Sequence, residues 1–442
     1  MPPTTRTAFP TQSTPLLTYG LPYPTLTAQH AATTFSAKRI YILISGTLAR
    51  TTDSLQRLQH ALESYPVADM RVVGVRRGMK SHTYWSEVLE VADDVRATGA
   101  DLLVILGGGT LVDAGKVVGL ALANNITTPS ALSTFSTTNP NPNPEQEIHP
   151  SHLPTIAIPT TLSGGEYSNL AGSTNDTTDE KHLFSTGIRG PQLVILDAEL
   201  CATTTPARVW LSTGIRAVDH CVETYLQQSS PTGDTENENE TEEGEGEASA
   251  LAKHGLGLLV PGLLKCAADR EGKGVEARLD CLLGSVDAMG ACLGGGGGAG
   301  RGREGVKLGA SHGIGHQLGP LGIPHGETSC ILLPAVCKYN ALHSPPSPTS
   351  RQNSLRQFLL RQPAISDVLH ARAINKDTAD LGDVLDAVIR ELGLPRSLSE
   401  VGVGREKFDE IAEKSIRDSF CRGNPVPVVR GEQVVEILEM VL

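Results

Sequence analysis

Residues 102–116 read LLVILGGGTLVDAGK. The first five are apolar without a break, which suits a strand covered on both faces. Gly107, Gly108, Gly109 and Thr110 interrupt the run, and apolar residues at helical spacing continue from Leu111 to Ala123. A strand that turns through glycines into a helix suits an anionic ligand. Glycine lets the backbone approach a phosphate closely, and the first N–H groups of the helix point at it with the helix dipole behind them. Asp113, near the start of that helix, joins Gly107, Gly108, Gly109 and Thr110 as a candidate cofactor contact. The stretch is neither the G-x-G-x-x-G fingerprint nor a Walker A loop, which ends in G-K-[ST]. Taken alone it also admits a tight strand-to-helix turn without a ligand.

The same alternation recurs on both sides. Strands are expected at Arg39–Ser45, Met70–Val75, Leu102–Leu106, Thr155–Ile158 and Leu193–Leu196, with an amphipathic helix over Ser86–Ala97 ending at Gly99. Apolar strands separated by helices predict a Rossmann-like α/β domain with a parallel sheet. From about Cys201 the pattern becomes helical. Thr205-Pro206 is a good helix start. Helical spacing then recurs through Trp210–Leu226, Leu251–Ala268, Glu276–Leu293, Cys330–Leu342, Leu381–Leu392 and Val434–Leu442, with no convincing strand. The expected organisation is a disordered segment over 1–36, a nucleotide-binding α/β domain over 37–200 and an all-α catalytic domain over 201–442. Three polar or glycine-rich stretches, 124–152, 229–247 and 294–305, are expected as insertions in loops or disorder.

The bulk numbers exclude some classes. With 442 residues, 39% hydrophobic and 19% charged, the chain can bury substantial cores in two or three domains of roughly 150 residues each. Its formal charge of −12 is unevenly spread, because Asp234–Glu247 holds eight acids and no base. Outside that tract 41 acids face 37 bases, so the folded part is close to neutral and no nucleic-acid partner is expected. Eight cysteines occur without a C-x-x-C pair, as suits reduced, mostly buried thiols. No apolar run approaches membrane-spanning length and the N-terminus lacks a signal-peptide core, so a soluble cytoplasmic protein is expected.

Residues 158–166, IPTTLSGGE, repeat the theme of a strand opening into a polar loop, here with Thr160, Thr161 and Ser163. Ligands of open parallel sheets bind at the carboxyl ends of strands, so two such loops favour a nucleotide cleft more than either alone. The first expected strand ends at Ser45, another candidate cofactor contact, followed by Gly46-Thr47 with Arg50 and Asp53 beyond. A carboxylate at that strand end would favour the free ribose hydroxyls of NAD, whereas small hydroxyl residues near an arginine are compatible with NADP.

The histidines gather in two segments. In GIRAVDHCVETY (214–225), Arg216 and His220 lie four apart, hence on one face of a helix. In SHGIGHQLGPLGIPHGE (311–327), His312 and His316 repeat the spacing, and His325 is expected on the loop beyond. Four of the 13 histidines in two short segments argue against coincidence. Imidazoles converging from such segments could bind a divalent metal, or give a proton to a developing alkoxide. For any one histidine alone, a satisfied structural role is the alternative. The H-E-x-x-H motif is absent because Gly313 holds the glutamate position, so metalloprotease chemistry is unsupported.

Together GGGTLVDAGK (107–116), IPTTLSGGE (158–166), GIRAVDHCVETY (214–225) and SHGIGHQLGPLGIPHGETSCILLPAVCKYN (311–340) resemble the iron-type (group III) alcohol dehydrogenase family, whose fold is shared with dehydroquinate synthase. The resemblance runs from about residue 37 to the C-terminus. Within the family the chain looks most like maleylacetate reductases, which reduce an enone dicarboxylate in aromatic-ring degradation. The resemblance implies NAD(H) or NADP(H) as cofactor, with the pyrophosphate on the turn from Gly107 to Thr110. It places Thr160, Thr161 and Ser163 along the adenosine and nicotinamide path. His220, His312 and His325 fall where metal-dependent members hold iron or zinc, and His316 matches a histidine near the nicotinamide.

One departure stands out. Metal-dependent members supply an aspartate ligand four residues before the first histidine, and here that position is Arg216. At ~4 Å and an effective dielectric of about 20, each pair of like unit charges repels by about 4 kcal/mol, so a fixed guanidinium opposes a metal ion. Asp219, three residues along, is expected on a different part of the helix surface. The reading that follows is a metal-free site. Arg216 binds a substrate carboxylate or steadies developing charge, and His316 or His220 supplies the proton. An ion pair from Arg216 to Asp219 or Glu223 is the plainer alternative. The expected partner is a carboxylate-bearing small molecule, and a homodimer is left open. Competing readings are a metal-dependent dehydrogenase of simple alcohols or aldehydes, a dehydroquinate-synthase-like lyase, and a nucleotide-binding protein without catalysis.

Overall fold

Among the described residues, nine strands and seven α-helices form in the first 205 positions of the computed structural model. The model describes residues 3–442 apart from 67, 81, 138, 140–145, 228–245, 270–271, 273, 295–307, 346 and 348–349. The strands are β1 (Thr4–Thr7), β2 (Leu16–Tyr19), β3 (Arg39–Ile44), β4 (Arg71–Arg77), β5 (Leu102–Gly107), β6 (Thr155–Pro159), β7 (Ala171–Thr174), β8 (Lys181–Phe184) and β9 (Leu193–Leu196). The helices are α1 (Tyr23–Thr33), α2 (Gly46–Thr51), α3 (Ser54–Glu63), α4 (Trp85–Thr98), α5 (Gly109–Ala123), α6 (Pro129–Ser133) and α7 (Ala198–Thr204). Seven strands form one sheet in the order β1-β2-β9-β6-β5-β3-β4, parallel except for β1, while β7 and β8 form a separate hairpin.

Alternate residues of the central strands enter two different cores, which is why these runs are apolar throughout. Ile40, Ile42, Ile44, Leu102, Val104 and Leu106 face one core with α1 and α3, while Tyr41, Leu43, Leu103 and Ile105 face the other with α4 and α5. The chain runs outward from β3 to β4 and returns to the far side of β3 as β5. The topological switch therefore lies between the carboxyl ends of β3 and β5, where open α/β sheets take their ligands.

Residues 206–442 form a second unit. Its helices are α8 (Ala207–Gln227), α9 (Glu247–Ala268), α10 (Val275–Cys292), α11 (Ala310–Leu318), α12 (His325–His343), α13 (Arg351–Leu360), α14 (Pro363–Ala371), α15 (Leu381–Glu391), α16 (Phe408–Ser415), α17 (Ser419–Gly423) and α18 (Gly431–Glu439). Among the described residues this unit contains no strand, and no helix is long and apolar enough to cross a membrane. Helices α8, α9 and α10 pack on one another, and α12 packs against α8, α11 and α15.

Several expectations need correction. Of the segment 1–36, the described residues 3–36 are ordered: β1 pairs with β2, β2 pairs with β9, and Leu17, Tyr23, Leu26 and Ala31 are buried. Its apolar residues are few but fall on the faces that β9 and α3 leave open. The division between units falls at Thr205/Pro206 rather than 200/201, because Cys201 Sγ bonds the Pro159 C=O and Thr205 Oγ1 donates to the Thr160 C=O at the end of β6. Within 124–152, Thr128 caps α6 and Leu132 and Phe135 enter a core, so that part is ordered, while 138 and 140–145 lie outside the described residues. Of the other two insertions, 229–245 and 295–305 lie outside the described residues, and Glu247 already begins α9.

Candidate active site

The phosphate-type turn is assembled by close approach of three strand ends. At Gly107 a Cβ would stand 2.5 Å from Leu111 Cδ1 and 3.2 Å from Ser45 Cβ. At Gly108 a Cβ would meet Thr161 Cγ2 at 3.2 Å, so side chains here would fill the cradle. The Ser45 N–H donates to Leu106 C=O at 2.9 Å, and the Thr160 N–H to Gly107 C=O at 3.1 Å. Ser163 Oγ lies 3.4 Å from Thr161 Oγ1. The N–H groups of Gly109 and Thr110 belong to the first turn of α5, so they have no intrahelical acceptor, and Thr110 is exposed. Ser45, Gly107, Gly108, Gly109, Thr110, Thr160, Thr161 and Ser163 are thus brought together around the switch point.

Asp113 has a different task from direct anion contact. Its Oδ2 accepts from the Gly172 N–H at 3.2 Å, and its Oδ1 pairs with Lys116 Nζ at 3.3 Å. Lys116, buried, also donates to the carbonyls of Gly165 at 2.6 Å and Leu170 at 2.7 Å. The pair clamps the second loop to α5. Glu166 is buried in that loop, and burial pushes its carboxyl up to about 7, only partly opposed by Lys116. At the end of β3, exposed Arg50 folds back over Gly46, its Nη1 3.0 Å from where a Gly46 Cβ would sit.

In the helical unit, α8 and α11 bring their histidines into contact. The rings of His220 and His312 stack with centroids 4.8 Å apart and planes 29° from parallel. His312 Nδ1 shares a hydrogen bond with Glu223 Oε2 at 2.7 Å, and burial beside Asp219 raises the Glu223 carboxyl well above the usual carboxylate range. Glu223 also accepts the N–H groups of Gly309 at 2.7 Å and Ser311 at 2.8 Å. Asp219 Oδ2 accepts the hydroxyls of Ser311 at 2.8 Å and Ser329 at 2.6 Å, and lies 3.3 Å from His312 Nδ1. Asp219 therefore belongs to the cluster rather than to another face of α8. One turn of helix separates it from Glu223, and both carboxylates are claimed by the start of α11.

Arg216 Nη1 donates to Ser329 Oγ at 3.1 Å. Among the described residues no ion pair within 4.0 Å includes Arg216, so the expected alternative of a salt bridge to Asp219 or Glu223 does not form. Arg216 is partly exposed, whereas Asp219, His220, Glu223 and His312 are buried. Burial, reinforced by the Arg216 charge, pushes His220 down to about 3 and His312 well below the ordinary histidine range. Both rings are neutral at physiological pH.

His316 differs. Its side chain is 36% exposed, its Nδ1 donates to Asp418 Oδ2 at 2.9 Å, and the Phe420 ring lies 5.6 Å away. His325 opens α12 rather than lying on a loop, because Pro324 before it has the extended backbone of a helix start, and it is exposed.

Of the expected metal trio, the rings of His220 and His312 stack on each other, and His325 is close enough for its charge to help lower His312. Among the described residues, the group whose ligand atoms lie within 4.8 Å of one another is Asp219, Glu223 and His312. That group is a poor metal site. His312 Nδ1 and both Glu223 oxygens are committed to each other and to backbone N–H groups, and Arg216 adds a cation where a ligand anion would be needed. His220 Nδ1 and His312 Nε2, however, are buried without a hydrogen-bond partner, and these are the nitrogens that could hold iron or zinc beside Arg216.

Sequence reasoning missed Ser311, Ser329 and Asp418 altogether and treated Glu223 as a bystander. Glu223 carried a signal, since it lies on the turn after His220. Asp418 carried none, being 102 residues from His316.

Residues 25–198 match the iron-containing alcohol dehydrogenase family, and residues 249–442 match the C-terminal region of the Fe-containing alcohol dehydrogenase family. Dehydrogenase FUM7 of Gibberella moniliformis is 37% identical over 97% of this chain and 96% of its own length. Dehydrogenase ALT3 of Alternaria alternata is 35% identical over 91% and 99%. The crystal structure of maleylacetate reductase from Agrobacterium tumefaciens superposes with a TM-score of 0.68 at 20% identity, covering 96% of this chain and 95% of that one, a likeness of fold. The chain belongs to the iron-containing alcohol dehydrogenase family and is a nicotinamide-dependent oxidoreductase.

Proposed function

We propose that the enzyme reduces a carboxylate-bearing enone or carbonyl compound in the manner of a maleylacetate reductase. NADH or NADPH supplies the hydride. The turn from Gly107 to Thr110 holds the pyrophosphate, with Ser45, Thr160, Thr161 and Ser163 alongside. Arg216 receives the substrate carboxylate, and His316 gives the proton. The observation that carries this reading is the Arg216 guanidinium, which has a serine hydroxyl as its bonded neighbour and, among the described residues, no ion pair. A carboxylate would bind it bidentately.

His316 is preferred to His220 as acid. His220 is buried and held neutral beside Arg216, whereas His316 is open to solvent and anchored to a carboxylate. Arg216 replaces the electrostatic role of a metal, which suits a metal-free reaction.

The test is a substrate panel of maleylacetate and simple aldehydes, followed with NADH and NADPH, with and without added metal. Maleylacetate should turn over without metal. Arg216→Gln should raise its KM by roughly ten- to a hundredfold, the loss of a charge-assisted hydrogen bond, and leave simple aldehydes little changed. Near-stoichiometric iron or zinc in the purified protein, with activity lost on chelation, would overturn the proposal.

A further inference from the structure

We propose that Asp418 is the positioning residue of the proton donor, holding His316 in the one tautomer and orientation in which Nε2 faces the substrate. This deepens the reading of His316 given above and rests on it. Asp418 divides its two oxygens. Oδ2 accepts from His316 Nδ1 at 2.9 Å, and Oδ1 accepts from the Phe420 N–H at 2.9 Å, capping α17. Asp418 is 17% exposed and His316 36%, so the carboxylate lies behind the ring and the ring is the more open of the two. Phe420, two residues beyond, lies against the same imidazole with ring planes 42° apart. One short segment therefore supplies both the anchor and a wall for His316.

A carboxylate can only accept, so Nδ1 keeps its proton in every protonation state of the ring. The exchangeable proton is confined to Nε2. In reduction, hydride adds to the electrophilic carbon, the Nε2–H bond breaks, and its proton joins the developing anion. The ring is left neutral with Nδ1–H intact, and solvent restores the proton.

Asp418→Asn tests this cleanly. The amide oxygen keeps the α17 cap, but the amide nitrogen faces Nδ1 as a donor and forces the proton onto Nε2 of the neutral ring. We expect kcat to fall roughly ten- to a hundredfold with the KM values for coenzyme and substrate within about threefold. Asp418→Glu should recover part of the loss. Adding Asp418→Asn to His316→Gln should cost nothing further. In nitrogen-15 histidine spectra of the full-length protein, the His316 signals should switch tautomer in Asp418→Asn whatever the substrate. An unchanged tautomer, an unchanged kcat, or an additive loss in the double variant overturns the proposal. A tautomer switch in an enzyme that reduces no carboxylate-bearing compound overturns the assigned reaction and leaves the dyad standing.

Discussion

Ser45 sits where β3 ends and touches Gly107 of the neighbouring strand. A carboxylate at this point would accept from the ribose hydroxyls of NAD and repel the 2′-phosphate of NADP, while Arg50 nearby favours that phosphate. Ser45→Asp should therefore shift the ratio of kcat/KM toward NADH by on the order of tenfold, about 1.4 kcal/mol. Equal ratios before and after would dismiss the strand end as the discriminator. Glu166 makes a separate prediction about stability. Its carboxyl is raised from 4.5 to about 7 by burial, so the folded state holds the proton more tightly than the unfolded chain. Its burial is harmless at low pH and costs stability as pH rises through that window, by at most about 3 kcal/mol. Glu166→Gln should raise Tm at pH 8 and have a smaller effect at pH 5.5. A gain of the same size at both values would mean that ionisation is not the cause.

Helix α5 is the element on which the cofactor site turns, and its partner is the loop after β6. Lys116 joins them by bonding the carbonyls of Gly165 and Leu170 from a buried position. Lys116→Met should cost about 2–4 kcal/mol in urea denaturation, because Asp113 and two carbonyls lose their charged partner. It should also raise the coenzyme KM, and a loss below about 0.5 kcal/mol would show that the loop holds itself. Elements of this kind were partly legible. The strands β3, β5, β6 and β9 are continuous apolar runs, and α5 follows its glycines directly. The strands β1, β2, β7 and β8 have four residues each; β1 has no apolar residue and the others mix polar residues with apolar ones, so no period can emerge. In the helical unit the histidines were visible because they repeat at one-turn spacing. Asp418, which anchors His316, and Ser329, which bonds Arg216 and Asp219, were not, since folding rather than spacing brings them within reach.

For the whole molecule, the sequence pattern indicated two units of different class, and the N-terminal segment was the main omission. Its residues complete the edge of the sheet and reach the cofactor loop, where Phe9 meets Tyr167 with ring centroids 6.0 Å apart. Deleting residues 1–21 should remove buried Phe9 and Leu17, cost about 3 kcal/mol or more, and expose the edge of β9 to self-association. Light scattering and thermal melts would check this. A soluble truncated protein with unchanged Tm and coenzyme KM would refute it.

The Tyr23 N–H is bonded to Asp197 Oδ2, and those residues are 174 positions apart. A ribosome adding roughly 5–20 residues per second needs about 10 to 35 seconds to make that stretch. For all of that time β2 lacks its parallel partner β9. The segment around β2 is thus secured only after β9 has followed it, so this edge of the sheet closes late.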